Sequence, residues 1–210
     1  RGGWGLYNDE GSSNILMENN LVYDVKTGTY HQHYGRENIV RNNILALSLD
    51  GQVQRSRVED HLSFVYTQNI VAWANGVLYR DGSMRDANVR SDRNLYWNTM
   101  GAAVDFHGVP LAEWQKQGRE AGSIVADPLF VDIGRRDFRL KEGSPASRIG
   151  FKPFDYTKAG VYGEPAWVAL AKAPEYPPVR LAPAPPPPPP LVFRHDFEAV
   201  VPRAGAERAQ

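Results

Sequence analysis

The sequence contains no cysteine in its 210 residues. That excludes a disulfide framework and any thiolate metal site, and leaves the compartment open. It also lacks an excess of charge of either sign, with 24 Lys and Arg against 24 Asp and Glu. A balanced surface gives no electrostatic footprint for nucleic acid or for an anionic membrane. No apolar run approaches the roughly 20 residues that a membrane-spanning helix needs. There is no phosphate-cradling glycine loop, dinucleotide fingerprint, zinc motif or nucleophile elbow. The 42% hydrophobic and 11% aromatic content is ample for the core of one ordinary domain. The chain opens at Arg1, in residues that already match a repeat interior. The expectation is a monomer that forms the C-terminal part of a longer, multidomain chain.

What the sequence does have is a repeat. A short pattern returns at Asn14-Ile15-Leu16, Asn38-Ile39-Val40, Ser63-Phe64-Val65 and Asn88-Val89-Arg90. A second follows it at Asn20-Leu21-Val22-Tyr23, Asn43-Ile44-Leu45-Ala46, Asn69-Ile70-Val71-Ala72 and Asn94-Leu95-Tyr96-Trp97. Short β-prone runs at a fixed period signal a stacked solenoid, in which residues one period apart lie about 4.8 Å apart. Each repeat holds three such runs separated by turn residues, as in Tyr30–Tyr34, Asn38–Val40 and Asn43–Leu47. Three strands per coil is the pattern of a parallel β-helix. The recurrent asparagines at 20, 43, 69 and 94 suit a tight corner, because Asn tolerates left-handed backbone and can bond its neighbours up a column.

Residues 109–122 break the repeat, and Leu111 and Trp114 among polar residues predict a short helix or an excursion. From Ser123 to Gly163 the chain is expected to form a final coil and a cap over the open end of the stack. Residues 164–190 are a proline-rich linker, with Pro185 to Pro190 in a row, as in a polyproline II spacer. Residues 191–210 resume an apolar and polar alternation and look like the truncated start of a further module.

Stacking the repeats aligns chemistry. Tyr7, His31, Arg55, Arg80 and Asp105 follow one another at steps of 24, 24, 25 and 25. Two residues on, Asp9, His33, Arg57, Gly82 and His107 follow at the same steps. Side chains two apart on a strand share a face, so these columns are expected to form one outward strip. The alternate column Leu6, Tyr30, Gln54, Tyr79 and Val104 is more apolar and suits the inside. The next, Asn8, Gln32, Ser56, Asp81 and Phe106, is mixed, and a slip of one residue would exchange the faces.

Ala126-Asp127-Pro128-Leu129-Phe130-Val131-Asp132, Asp137-Phe138-Arg139-Leu140 and Gly143-Ser144-Pro145-Ala146, taken with the repeats, resemble the right-handed parallel β-helix proteins of the pectate-lyase-like superfamily. The resemblance covers about residues 3–163. It implies an all-β fold: a right-handed parallel β-helix with a C-terminal cap, followed here by the proline-rich linker. It implies a secreted or cell-surface bacterial protein whose partner is a polysaccharide or oligosaccharide. Glycoside hydrolysis is the leading activity, polysaccharide lyase chemistry the second, and a non-catalytic glycan-binding or adhesive module the alternative outside enzymes. Fold alone does not choose among these.

The superfamily binds sugar chains along such a strip, and this one has suitable groups. Asp9, His31 and His33 are the candidate catalytic residues, since imidazoles titrate near neutrality and move protons. Tyr7, Arg55, Arg57, Trp73 and Arg80 are the candidate substrate contacts, the aromatic faces for sugar rings and the guanidiniums for uronate carboxylates. Trp4 and Tyr79 are further stacking candidates. A hydrolase needs two carboxyls about 5–10 Å apart, which Asp9 with Glu37 or Glu59 would supply. Asp9 and Glu10, as strand neighbours, should face opposite ways. No cofactor is expected. Calcium serves lyases of this fold, but no acidic cluster marks a site for it. Two same-face histidines fall short of a metal's ligand set unless Asp9 joins them.

Overall fold

The computed structural model describes residues 3–80, 84–86, 88–173 and 175. It is a parallel β-solenoid. The first coil carries β1 (Leu6–Asn8), β2 (Ser12–Ser13), β3 (Leu16–Glu18) and β4 (Leu21–Tyr23). The second carries β5 (Tyr30–Gln32), β6 (Gly35–Arg36), β7 (Asn38–Arg41) and β8 (Ile44–Ala46). The third has β9 (Gly51–Arg55), β10 (Phe64–Thr67) and β11 (Ile70–Trp73), and the fourth β12 (Val77–Arg80), β13 (Val89–Asp92) and β14 (Leu95–Asn98). After α1 (Leu111–Lys116), β15 (Ile124–Val125) adds a last strand. These stack into three parallel sheets: β1-β5-β9-β12, β3-β7-β10-β13 and β4-β8-β11-β14-β15. Among the described residues no helix is long and apolar enough to cross a membrane.

The corners explain the repeat. The residue just before each column asparagine takes the left-handed conformation: Asn19, Asn42, Gln68 and Arg93 have φ of 57, 54, 57 and 52°. The column asparagines themselves keep ordinary backbone and act through their side chains, which corrects the expectation that they would supply the turn. Asn20 and Asn43 each donate backbone N–H and side-chain Nδ2 to the Oδ1 of the next asparagine up, at 2.9–3.1 Å. Asn69 does the same to Asn94, at 2.9 and 3.2 Å. The Asn94 backbone N–H goes on to Ser123 Oγ at 2.7 Å, while its side chain ends on the buried Glu120, which accepts from Asn94 Nδ2 at 3.2 Å, from the Tyr79 hydroxyl at 3.0 Å and from the Tyr96 hydroxyl at 2.6 Å. Ser91 and Ser123 also donate to this carboxylate. A carboxylate is an acceptor only, so it closes a chain of donors that an amide would prolong. Another close corner is Gly76, at φ 72°, where any Cβ would run into the Asp50 carbonyl.

Inside the coils, Tyr30, Val53 and Tyr79 from the first sheet meet Val40, Phe64 and Tyr66 from the second and Leu45, Val71 and Tyr96 from the third. Val104, Phe106 and Trp114 of the excursion complete this cluster, so the expected short helix packs on the interior through Trp114. The segment after β15 does something else. The antiparallel pair β16 (Phe130–Asp132) and β17 (Asp137–Leu140) and the 3-10 helix Pro145–Ile149 place Phe130, Phe138, Ala146, Ile149 and Phe151 on Ile44, Ala46, Ile70, Ala72 and Leu95. It reaches back to the first coil, where Arg136 forms a two-pronged pair with Asp24 at 2.8 and 2.9 Å. It therefore lies along the outer face of the third sheet rather than over the end of the stack. Pro165–Lys172 forms a second helix, α2, in the segment read as linker. The rest of that linker, apart from Glu164, Ala173 and Glu175, and all of residues 191–210 lie outside the described residues.

Candidate functional site

The first sheet's register decides which side chains share its outer face. Tyr7 pairs with His31, His31 with Gln54, and Gln54 with Arg80. The outward column is thus Tyr7, His31, Gln54 and Arg80. Arg55 pairs with Gln32, one residue off the spacing inferred above, and belongs to the inward column with Asn8. Its side chain is 1% exposed and ion-pairs with Asp86, with Ser63 Oγ accepting at 3.2 Å. The second expected column loses its alignment in the same way, since the position opposite His33 is Ser56, and Arg57 lies one residue further on.

At the first-coil end of this face, side chains converge. Trp4 stacks on Tyr7 with centroids 4.6 Å apart and planes at 26°. The His31 ring lies 4.5 Å from Trp4 and 5.1 Å from Tyr7. Trp4 is 42% exposed, whereas His31 is buried beneath the pair. The chain leaves β1 at Asn8, so Asp9 and Glu10 are no longer strand neighbours on opposite faces. Asp9 turns to accept from the Tyr7 hydroxyl at 2.7 Å, and Glu10 lies 3.6 Å from His33 Nε2 and 3.3 Å from Arg57 Nη1. The Arg57 guanidinium also sits 4.3 Å above the Tyr34 ring, a cation–π contact. The Ser56 hydroxyl lies 2.9 Å from both His31 Nε2 and His33 Nδ1.

The electrostatics follow from these bonds. Tyr7 donates to Asp9, and that bond is the main reason the Asp9 carboxyl is held below its ordinary range; the Glu10 backbone N–H and the nearby histidines add to it. Desolvation, and then the same carboxylate, push the Tyr7 hydroxyl up to about 12. At neutral pH Asp9 is ionised and Tyr7 is a proton-bearing donor.

The structure brings together Tyr7, Asp9, His31 and His33, with Arg57 at the edge. Arg80 lies further along the same column, where it pairs with Asp50 and donates to Thr27 at 3.2 Å. It does not bring Arg55 or Trp73 to this face: Trp73 is 3% exposed and packs in the interior. Tyr79 is also internal, bonded to Glu120. Glu37 engages Arg36 and Glu59 engages His61. Asp81 and Gly82 lie outside the described residues. Ser56, Glu10 and Tyr34 join the site without having been singled out for it. Among the described residues no group of three His, Asp or Glu is arranged to hold a metal ion. Compared with family models, curated proteins and solved structures, the chain matches none.

Proposed function

We propose that this protein is a carbohydrate-active, right-handed β-helix protein of the pectate-lyase-like kind, secreted or held at the cell surface. Its site for a polysaccharide or oligosaccharide is the strip around Trp4, Tyr7, Asp9, His31 and His33. One observation carries this reading: an exposed, stacked Trp4–Tyr7 pair stands directly beside an ionised carboxylate and two joined imidazoles. The apolar face of a sugar ring suits the exposed indole, and hydroxyls at its rim suit carboxylate and imidazole partners. Glycoside hydrolysis is the reaction proposed first. In it Asp9, being ionised, acts as nucleophile or general base, and an imidazolium at His31 or His33 gives the proton that the leaving oxygen needs. Arg57 stands where it can meet an acidic sugar.

A second reading is supported by the state of the two carboxyls. Asp9 is held ionised by Tyr7 and so is not set up as a protonated acid, and Glu10 is engaged by Arg57 and His33. A non-catalytic glycan-binding surface needs no such acid. Lyase chemistry, with Arg55 buried, would rest on Arg57 alone.

The test is to incubate the protein with plant, algal and host glycans and to follow reducing ends and unsaturated uronates, alongside Asp9→Ala, His31→Ala and His33→Ala. New reducing ends that these variants lose support hydrolysis on this strip. Unsaturated products move the chemistry to elimination. Binding without turnover, weakened by Trp4→Ala, supports the glycan-binding surface. Activity that survives all three substitutions removes the strip from the chemistry.

A further inference from the structure

Ser56 follows β9, and its backbone N–H donates at 3.0 Å to the carbonyl of Gln32, the residue between the two histidines. His33 is fixed in turn by its own N–H, which donates at 2.9 Å to the Asn8 carbonyl. The backbone therefore sets one hydroxyl opposite two imidazoles, 2.9 Å from a nitrogen of each. A serine hydroxyl has one proton and two lone pairs. With both rings neutral it donates to one ring and accepts from the other. The nitrogens it meets differ, Nε2 on His31 and Nδ1 on His33. The Glu10 carboxylate, 3.6 Å from His33 Nε2, favours the assignment with a proton on that nitrogen. His33 Nδ1 is consequently bare and accepts from Ser56, while His31 Nε2 bears a proton and donates to Ser56.

We infer that Ser56 is a positioning residue that joins His31 and His33 into one proton-sharing unit, and this rests on reading the strip as the functional site. When His31 holds a second proton, its Nε2–H bond breaks as an O–H bond forms on Ser56, and the original Ser56 O–H bond breaks as an N–H bond forms on His33 Nδ1. His31 ends neutral and His33 ends as the imidazolium beside Glu10. One proton has crossed, and no oxidant or further reactant is required. The unit therefore carries protons between the buried ring under Trp4 and Tyr7 and the solvent edge at Glu10 and Arg57. Among the described residues, the charged and titratable groups facing it include Tyr7 on β1, Asp9 and Glu10 in the turn that follows, and Arg57 across Glu10.

The experiment uses the full chain with 15N-labelled histidine and long-range 1H–15N spectra across pH, with no sugar present. Above the titration both rings should carry their proton on Nε2. Replacing His33 by His33→Phe should move the His31 midpoint by about 1 pH unit, the size expected of strongly interacting sites. The same replacement in a Ser56→Ala background should leave that midpoint where Ser56→Ala alone puts it. Ser56→Thr, which keeps the hydroxyl, should keep the coupling. A midpoint shift of equal size with and without the hydroxyl would show direct charge repulsion and overturn the inference. So would a proton on Nδ1 of either neutral ring in the unsubstituted chain, a readout that needs no variant to fold. Failure of every glycan assay alongside a Ser56-dependent coupling would remove the carbohydrate reading and leave this one standing.

Discussion

Two outer faces of the same solenoid have opposite fates. On the first sheet the outward column is Tyr7, His31, Gln54 and Arg80, and it is left to solvent and to whatever binds there. On the third sheet Ile44, Ala46, Ile70, Ala72 and Leu95 point outward and are sealed by Phe130, Phe138, Ile149 and Phe151 from the chain's own C-terminal segment. Both faces have the same backbone pairing, strand spacing and coil period. The alternation of side chains alone determines that one face is a docking surface for a covering segment and the other an open strip. Of the solenoid's three outer faces, the third sheet's is the one that the C-terminal segment covers.

The comparison breaks most readily at the covered face. Phe138 is fully buried against the third sheet and within 5.3 Å of the Phe130 ring. Phe138→Ala should cost about 3–5 kcal/mol, read by denaturant unfolding, because it opens a cavity between the third sheet and the segment that covers it. A loss under about 1 kcal/mol would mean that the cover adds little to stability.

A smaller effect sharpens the same contrast. Arg139, bonded to Asp137 in the covering segment, holds that carboxyl at about 2, below the ordinary aspartate value of 3.8. A depressed carboxyl contributes stability above its unfolded value and loses it as pH falls through its folded value. The stability difference between the unsubstituted chain and Asp137→Asn should therefore be constant above about pH 5, shrink below 3.8 and be lost as pH falls below 2. Asp137 is solvent-facing, so the difference is small, and a difference that persisted undiminished at pH 2 would refute its origin in this charge.

The smallest effect on stability belongs to the open strip. Trp4→Ala should change unfolding by no more than about 0.5 kcal/mol, since Trp4 is an exposed residue, 42% open, at the edge of the first coil and outside the core clusters. The same substitution should lower glycan affinity roughly tenfold, about 1.4 kcal/mol, measured by calorimetry or affinity electrophoresis. The two faces would then separate cleanly, one by stability and the other by binding.

Much of this was legible in the sequence. The corner asparagines announced the period because a ladder needs an amide at every step, and the three runs per coil announced three sheets. The register of the first sheet was legible too, by a different route. Tyr30, Val53 and Tyr79 each stand ten residues after a corner asparagine, at Asn20, Asn43 and Asn69. Counting from the corners places Arg55 inside and Ser56 opposite His33. Counting evenly from Tyr7 places Arg55 outside, because it ignores that the coils differ in length. Trp73 misled for a related reason: an aromatic residue fits a sugar or a core equally well, and only its sheet position decides. The convergence of Asp9 and Glu10 was not legible, since it depends on the strand ending at Asn8. Nor was the destination of the C-terminal segment, whose apolar residues suit any uncovered apolar surface, whether an end or a flank.

The asparagine column has a direction, and the direction limits how this protein can change size. Every rung donates to the coil above it; at the last, the Asn94 backbone N–H meets Ser123 Oγ at 2.7 Å and its Nδ2 meets Glu120, whose carboxylate offers nothing onward. A coil duplicated between the second and third would inherit both a donor below and an acceptor above, and the column would simply grow by one. A full coil inserted after the fourth would have to break the Asn94 bonds to Ser123 and Glu120, and displace two tyrosine hydroxyls from that carboxylate as well. Variation in length among chains built this way should therefore arise by copying from the middle, with the glutamate-bearing end carried along unchanged.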